Sequence, residues 1–366
     1  MNGLNEIRHP VFSVIYEKKD ITKDLTPHAV TVSFTDYLDG QSDEVTIVLE
    51  DVDQRWLNAW YPKKGDRLTV QIGYQGDALL SCGQFEIDEI EVTFSPSIVT
   101  IKGLATGIKK DVRTKNGVAY ENTSLAAIAQ RIAARHSLSL VGAIRHIQID
   151  RVTQFKERDV AFLKRIAKEY GYVFKITNSK LVFSEVDALH AANVVTTYKR
   201  TDITSGTLRD KVHMIYGRVS ARYHDHKTKK VITYDVQSHG ADDASADTLK
   251  ISSRSSSSGM SEVKAKAALK HANVEQTTGT IKVMGNVKLV AGCKVALTEC
   301  GHLNGEYIID SAHHQLSRDS GYITEIEIKR VGKSSTTNQG LSVYDVKANQ
   351  IVVVGTSPVS SKKRSG

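Results

Sequence analysis

Four places in this 366-residue sequence gather residues that could do chemistry. Gly332, Lys333 and Ser334 read as the end of a phosphate-cradling loop, in which glycine amides and a lysine hold phosphates. That loop also needs a glycine five residues earlier, and Glu327 stands there. Asp51 and Asp53 have the spacing of the first two ligands of a calcium loop. Arg55 takes the third position and no loop glycine or closing glutamate follows, so a solvated strand end is the expectation. His224 and His226 could share a strand face around a metal, but no third ligand sits at a telling spacing. His313 and His314 are adjacent; in a strand they point to opposite faces and cannot chelate together. Cys82, Cys293 and Cys300 lack metal-ligand spacing and are expected as small packed apolar residues, an odd count that fits a reducing compartment. No Gly-x-Ser-x-Gly elbow and no His-Glu-x-x-His occurs. The 41 acidic residues leave a carboxylate pair open, but no catalytic, cofactor-binding or metal-binding residue is assigned and no cofactor is expected.

The elements that would position any site are mostly strands, and one set of them comes twice. GDRLTV (Gly65 to Val70), GQFEID (Gly83 to Asp88) and SIVTIK (Ser97 to Lys102) return as GCKVAL (Gly292 to Leu297), GEYIID (Gly305 to Asp310) and YITEIEIK (Tyr322 to Lys329). Each copy reads as a glycine-opened alternating strand, a Gly-x-aromatic-x-Ile-Asp strand and a strand containing threonine, Thr100 or Thr324. Alternating strands joined by turns make a meander, a unit from which antiparallel barrels are built. Period-two patterning and turn glycines recur in unrelated meanders too, so the repeat by itself leaves chance similarity open.

Composition excludes several classes. Charged residues are 25% and apolar residues 40% of the chain, as in ordinary globular proteins. No apolar run approaches the roughly 18 residues of a membrane span, and the first ten residues lack the apolar core of a secretory signal, so no membrane insertion or secretion is expected. The net charge of +8 is spread out: half belongs to residues 332–366, where Lys333, Lys347, Lys362, Lys363 and Arg364 face Asp345 alone. A nucleic-acid footprint clusters its cations on one element, so specific nucleic-acid binding is not expected.

Along the chain, residues 1–110 read as β, with Val45, Ile47 and Leu49 on one face and Leu68, Val70 and Ile72 on another. In FEIDEIEV the apolar parity switches from Phe85 and Ile87 to Ile90 and Val92, the mark of a bulge or barrel corner. Residues 111–190 read as a small α+β insert. Thr123 or Ser124 caps a helix with Leu125, Ile128, Ala129 and Ile132 inward; Asp159 caps another with Phe162, Leu163, Ile166 and Tyr170 inward, ended by Gly171; YVFKIT and KLVFSEV form a hairpin. Residues 191–331 return to β around a Ser-rich linker at 251–261 and a helix at 261–274 capped by Ser261. In the 332–366 tail, LSVYDVK and QIVVV each suit a strand if a partner supplies the sheet.

Four stretches in this order resemble the late control protein D family, the baseplate hub proteins of contractile-tailed phages, related to the hub portion of type VI secretion spike proteins. They are KDITKDL (Lys19 to Leu25) with VTIVLED and GDRLTVQIGYQG; GQFEIDEIEV with SIVTIKG; Thr123 to Leu138 with Gln154, Glu157, Asp159, Phe162, Leu163 and Arg165, similar to a Gln-x-x-Glu-x-Asp-x-x-Phe-Leu-x-Arg signature; and Ala291 to Val331. Where the family often has Gly-Asn-Pro this chain has Gly285, Asn286 and Val287, and residues beyond Val331 match no family pattern.

The resemblance implies a mainly β, α+β fold: two related tube-type antiparallel β-barrels with a small α+β insert domain between them. It implies a non-enzymatic, homotrimeric, pseudo-six-fold ring that adapts a six-fold tail tube to a three-fold spike and continues the channel. Implied partners are the tail tube protein, a separate spike protein, other baseplate proteins and, as a further candidate, the tape measure protein. The implied location is the virion's tail baseplate, after synthesis in the bacterial cytoplasm. The competing readings are a tail-borne cell-wall hydrolase, which would need a convergent acid pair in a cleft, and a nucleic-acid-binding protein.

Overall fold

The computed structural model describes residues 8–105, 115–177, 179–211, 213, 215–225, 230–239, 247–252, 258–331, 335–345 and 350–354. The front part comprises β1 (Pro10–Tyr16), β2 (Lys19–Asp20), α1 (Thr22–Leu25), β3 (Ala29–Tyr37), β4 (Glu44–Glu50), β5 (Arg67–Tyr74), β6 (Leu80–Phe94) and β7 (Ser97–Ala105). Period-two alternation places Val45, Ile47 and Leu49 of β4, and Leu68, Val70 and Ile72 of β5, on the inner face. Six front strands contribute to one core, from Val14 and Phe34 to Phe85 and Ile101, and Tyr322 from the rear part joins it. The ladder runs β3-β4-β7-β6-β5-β1 and stays open between β1 and β3, so packing rather than hydrogen bonding closes this module.

The insert comprises β8 (Lys115–Ser124), α2 (Leu125–Arg135), β9 (Ser139–Val141), β10 (Gln148–Arg158), α3 (Asp159–Glu169), β11 (Tyr172–Thr177), β12 (Lys180–Glu185) and α4 (Val186–Ala191). Ser124 caps α2, its hydroxyl accepting the Ala127 amide at 3.2 Å. Leu125, Ile128, Ala129 and Ile132 of α2 and Phe162, Leu163, Ile166 and Tyr170 at α3 meet in one core. Asp159 is not a cap: Arg158 holds that position, and the Asp159 carboxylate turns inward instead.

The rear part comprises β13 (Val194–Lys199), β14 (Ile203–Asp210), β15 (Arg218–Asp225), β16 (Lys230–His239), β17 (Thr248–Ser252), α5 (Ser258–Val274), β18 (Thr277–Met284), β19 (Lys294–Thr298), β20 (Gly305–Ser317) and β21 (Gly321–Arg330), followed by β22 (Ser335–Asp345) and β23 (Gln350–Val354). It is not all one module. β15, β16 and β17 form a separate five-stranded sheet with β22 and β23, against which α5 packs through Ala265 and Leu269. The strand-forming tail segments therefore find their sheet within this chain, on β16. Helix α5 begins at Ser258, so Ser261 is a buried residue of its first turn and not its cap.

The remaining rear strands repeat the front ones. The ladders β3-β4-β7-β6-β5 and β14-β18-β21-β20-β19 run in the same order, with every neighbour antiparallel, and each is joined at its end by β1 or β13. The agreement extends to irregularities. β6 carries a bulge at Asp88 between pairs Ile87–Gly103 and Glu89–Lys102; β20 carries one at Asp310 between Ile309–Ile328 and Ser311–Glu327. The Gly65 amide donates to the Ile87 carbonyl and the Gly292 amide to the Ile309 carbonyl, both at 2.8 Å. This register aligns Thr324 with Val99, one residue away from the Thr100 match that the sequence suggests. The copies differ at the end strand: β1 is antiparallel to β5, whereas β13 is parallel to β19. β3 and β20 pair antiparallel, Thr31–Tyr37 against Ser311–Ser317, and fuse both modules into one thirteen-stranded sheet.

Gly65 and Gly292 open equivalent strands with φ of +90° and +87°, where a side chain is strained. A Cβ at Gly65 meets nothing within 4 Å, whereas one at Gly292 lies 3.2 Å from Leu38 of the adjoining module. Gly65→Ala should cost about 1 kcal/mol of backbone strain, and Gly292→Ala clearly more. Chemical-denaturation midpoints of the two variants test this, and equal losses would refute the asymmetry.

Candidate functional site at the module junction

The polar groups with unusual surroundings cluster where front, insert and rear parts meet. At its centre is the β3–β20 seam. His314 of β20 is fully buried and stacks on Phe34, its cross-strand neighbour, at 6.1 Å between centroids. A carbonyl can only accept, so Nε2 carries the proton and donates to the Leu289 carbonyl at 2.8 Å. Nδ1 then accepts from the Tyr322 hydroxyl at 2.8 Å. Burial pushes the His314 pKa down to about 4, against the opposing pull of the Leu289 carbonyl and the Asp36 charge. His313 points the other way and meets the Thr35 hydroxyl at 2.9 Å through Nδ1. The two histidines occupy opposite faces, as adjacent strand residues must.

Beside the seam, Lys175 of β11 reaches out of the insert between Asp36 and Asp43 of the front module. Its ammonium contacts Asp36 directly and lies 3.1 Å from Asp43. Asp36 also accepts the Ala291 amide of the rear module at 2.9 Å, and Asp43 the Tyr37 amide at 3.1 Å. Burial drives the Asp43 pKa up to about 6, with the Lys175 charge pulling it down and the Asp36 charge pushing it up. Burial would depress the Lys175 pKa, but the two carboxylates raise it above its ordinary value. Three parts of the chain are thus clamped by one ammonium and two carboxylates. Each of these groups faces a structural partner, so the arrangement fixes position; its chemistry is that of a buried ion cluster.

The signature residues of the insert are explained the same way. Asp159 is fully buried and its carboxylate accepts from Gln154 (2.7 Å), His136 (2.6 Å), Arg135 (2.9 Å) and Asn116 (3.0 Å). Burial would raise its pKa, but these hydrogen bonds and the Arg135 charge hold it below the usual carboxylate range. Arg165 grips Glu157 with two bonds of 3.1 and 3.0 Å while its guanidinium lies over the Phe162 ring. The signature therefore docks α3 against β10.

The other candidates read from the sequence fall into structural roles or outside view. Asp51 is not solvated: it is 1% exposed and its two oxygens accept the Trp56 and Leu57 amides at 2.9 and 3.0 Å, while Asp53 pairs with Arg55 at the surface. Buried surroundings raise the Cys82 and Cys293 thiol pKa values. His226, Gly332, Lys333 and Ser334 lie outside the described residues. Gly285 retains its place because the Tyr322 ring lies 2.2 Å from where a Cβ would stand. Among the described residues, no group of three or more His, Cys, Asp or Glu is placed to hold a metal ion, and no helix is long and apolar enough to cross a membrane. A cavity of about 540 Å³ between insert, α5 and rear module is lined by ion pairs, Lys329 with Asp310 at 3.1 Å and Glu275 at 2.9 Å among them.

Lys175→Met should destabilise the fold by about 3 kcal/mol, because it leaves two carboxylates buried without their cation; adding Asp43→Asn should recover part of the loss in thermal unfolding. The junction also sets a pH response through His314 and Asp43. The unfolded chain binds a proton at His314 below its ordinary 6.5, whereas the folded chain does so only near 4, so stability present at neutral pH is lost as pH falls through that window. Asp43 acts oppositely: its folded pKa of about 6 exceeds its ordinary 3.8, so the folded state binds the extra proton between those values and gains stability on acidification. His314→Gln should flatten the fall in unfolding midpoint between neutral pH and about pH 4.5, and Asp43→Asn should steepen it. Parallel pH profiles for all three proteins would refute both assignments.

A family model described as "Phage tail baseplate hub (GPD)" matches residues 108–320. A "probable baseplate hub protein" of Escherichia phage P2 is 30% identical over 176 residues, 48% of this chain and 45% of that protein. The chain spans about half the length of the curated relatives it matches. Among solved structures, the 43 kDa tail protein of prophage MuSo2 from Shewanella oneidensis has a TM-score of 0.67 at 15% identity, covering 89% of this chain and 100% of that one. The E. coli c3393 protein, a type VI secretion component with structural similarity to T4 tail proteins gp27 and gp5, has a TM-score of 0.51 at 11% identity, covering 83% of this chain and 73% of that one. With a family match over more than half of its length, this chain belongs to the phage tail baseplate hub (GPD) family.

Proposed function

We propose that this protein is the structural hub of a contractile-tail baseplate, acting as a homotrimer rather than as an enzyme. Residues 1–110 supply one tube module and residues 111–190 the insert; within residues 191–331, β13, β14 and β18–β21 supply the second tube module, while β15–β17 form a separate sheet with strands of the 332–366 tail. The observation that carries this reading is the duplicated ladder, matched down to the Asp88 and Asp310 bulges. A closed ring has one rotational symmetry, so a joint between a six-fold tube and a three-fold spike needs subunits that contain the same unit twice. Three copies then present six modules around the axis to the tube and three whole chains to the spike, with a channel along the axis. The partners are the tail tube protein, a separate spike protein, other baseplate proteins and the tape measure protein, and the location is the tail baseplate of the particle, after synthesis in the bacterial cytoplasm. Subunit interfaces in such an obligate ring bury more than about 2,000 Å² each.

Electron-microscopy class averages and the mass of the purified full chain, alone and mixed with tube protein, test the proposal. The expected particle has three lobes, a central channel and three times the 40.3 kDa subunit mass. A dimeric or four-fold particle would overturn it.

A further inference from the structure

We infer that the cavity between the insert, α5 and the rear module binds an amphipathic carboxylate, an apolar body ending in one negative charge, and that its entry is coupled to uptake of a proton. The inference concerns a single chain and does not rest on the ring proposed above. At about 540 Å³ the cavity has the size of small-molecule sites. Tyr170, Tyr172 and Leu189 of the insert, Val263 and Val274 of α5, and Leu38 just past β3 give it apolar walls. Burying an apolar body against them is favourable in proportion to the area removed from water. The site is peculiar to the rear module. The register that equates Asp310 with Asp88 sets Leu104 where Lys329 stands, so the front module lacks the lysine that closes this wall.

The polar part of the lining selects the head group. Five Lys and Arg side chains and five carboxylates line the cavity, so with neutral imidazoles its charge is balanced. Each of those carboxylates already has a cation. Lys270 holds Asp187 at 2.6 Å and Lys266 holds Glu262 at 2.7 Å. Lys329 holds Glu275 at 2.9 Å and Asp310 at 3.1 Å, and Lys164, from outside the lining, holds Asp39 at 3.7 Å. Arg145 is taken by Glu185 at 2.5 Å. Lys168, exposed at the end of α3, has no ion-pair partner among the described residues, and its charge acts on Asp39 and His271. A positive head group would therefore find every lining acid engaged. A negative one finds Lys168 and two imidazoles, His190 of α4 and His271 of α5, that can become cationic. Burial lowers the His271 pKa, and the Lys168 and Lys329 charges lower it further against the Glu275 charge. Burial lowers the His190 pKa too; the Asp187 charge raises it, and the Lys270 and Lys294 charges lower it. A carboxylate placed among these groups opposes both effects and favours the imidazolium. Proton and ligand then bind together, so affinity rises as pH falls toward the ordinary histidine value of 6.5.

The test is titration calorimetry of the full chain with two probes, dodecanoate and an N-acetylated tripeptide that ends in leucine with a free carboxylate. They stand for a free fatty acid and for the carboxy-terminus of another polypeptide, and binding of either supports the site. Binding should be at one site per chain and about tenfold tighter near pH 6 than near pH 8. Buffers of different ionisation enthalpy should report proton uptake, and changing His190 and His271 together to glutamine should remove it. Dodecylamine and the tripeptide amide should not bind. Lys168→Glu should weaken binding about tenfold while leaving the unfolding midpoint unchanged, and Val274→Trp, which fills the apolar wall, should abolish it. No heat from either probe up to about 1 mM would overturn the inference. So would equal binding of dodecylamine, binding that Lys168→Glu and Val274→Trp leave unchanged, or uptake at many sites with a falling unfolding midpoint. Binding without proton uptake would overturn the coupling.

Discussion

A strand can hold only one neighbour on each edge, and the bulges at Asp88 and Asp310 decide how that edge is shared. Before the bulge, each long strand keeps its sequential neighbour, β5 or β19. After it, the added residue shifts the parity and bends the strand away, so the same edge is released to a different partner. In the rear module the released edge takes β3, a strand some 278 residues distant in sequence at the Thr35–His313 contact. The module core, the seam and the continuity of the sheet all follow from that release. An unbulged β20 would keep its apolar parity, and then His314 could not face Phe34 while Tyr307 and Ile309 face the rear core.

The β3–β20 seam holds the two modules to each other but not the insert. The Asp36–Lys175–Asp43 cluster helps to fix the insert, since a tilt would separate a buried ammonium from its carboxylates, and it is joined by the Gly40 amide on the Phe174 carbonyl, the Lys264–Glu169 pair and Met260 of α5 in the insert core. Apolar contact could give comparable stability with less directional demand. The ion cluster and the hydrogen-bonded His314 instead specify a single relative orientation, at the cost of sensitivity to protonation of His314.

Much of this was legible in the sequence where period and spacing are local. The parity switch in FEIDEIEV located the Asp88 bulge, the Gly-x-aromatic-x-Ile-Asp strands located the repeat, and helical spacing identified the buried faces of α2 and α3. What escaped was set by tertiary context. Asp159 has the residue type and place of a cap, yet four donors gathered from β8, α2, the residue that ends α2 and β10 pull it inward, and none of them is marked by spacing. Asp51 resembled a solvated acid because the amides that bury it belong to the turn that follows. The alternation in β15 to β17 is the same as that of the module strands, so periodicity could not reveal that they leave the main sheet and join β22 and β23. The Thr100–Thr324 match misled by one residue because a shared residue type is weaker evidence of register than a shared bulge.

The two modules agree in their ladders and disagree in what is attached to them, and for the adaptor role proposed above the disagreement would matter as much as the agreement. The insert follows β7 once per chain, and the sheet capped by α5 interrupts the β14–β18 hairpin once per chain, where β3 and β4 are joined by a short loop. In a ring of three chains, the surface built from ladders repeats six times and the surface built from attachments repeats three times. Six identical subunits could offer only the first; three subunits with a single module could offer only the second. Duplication followed by unequal insertion provides both in one polypeptide, and it leaves the internal seam free to acquire the buried His314 and Asp36 contacts.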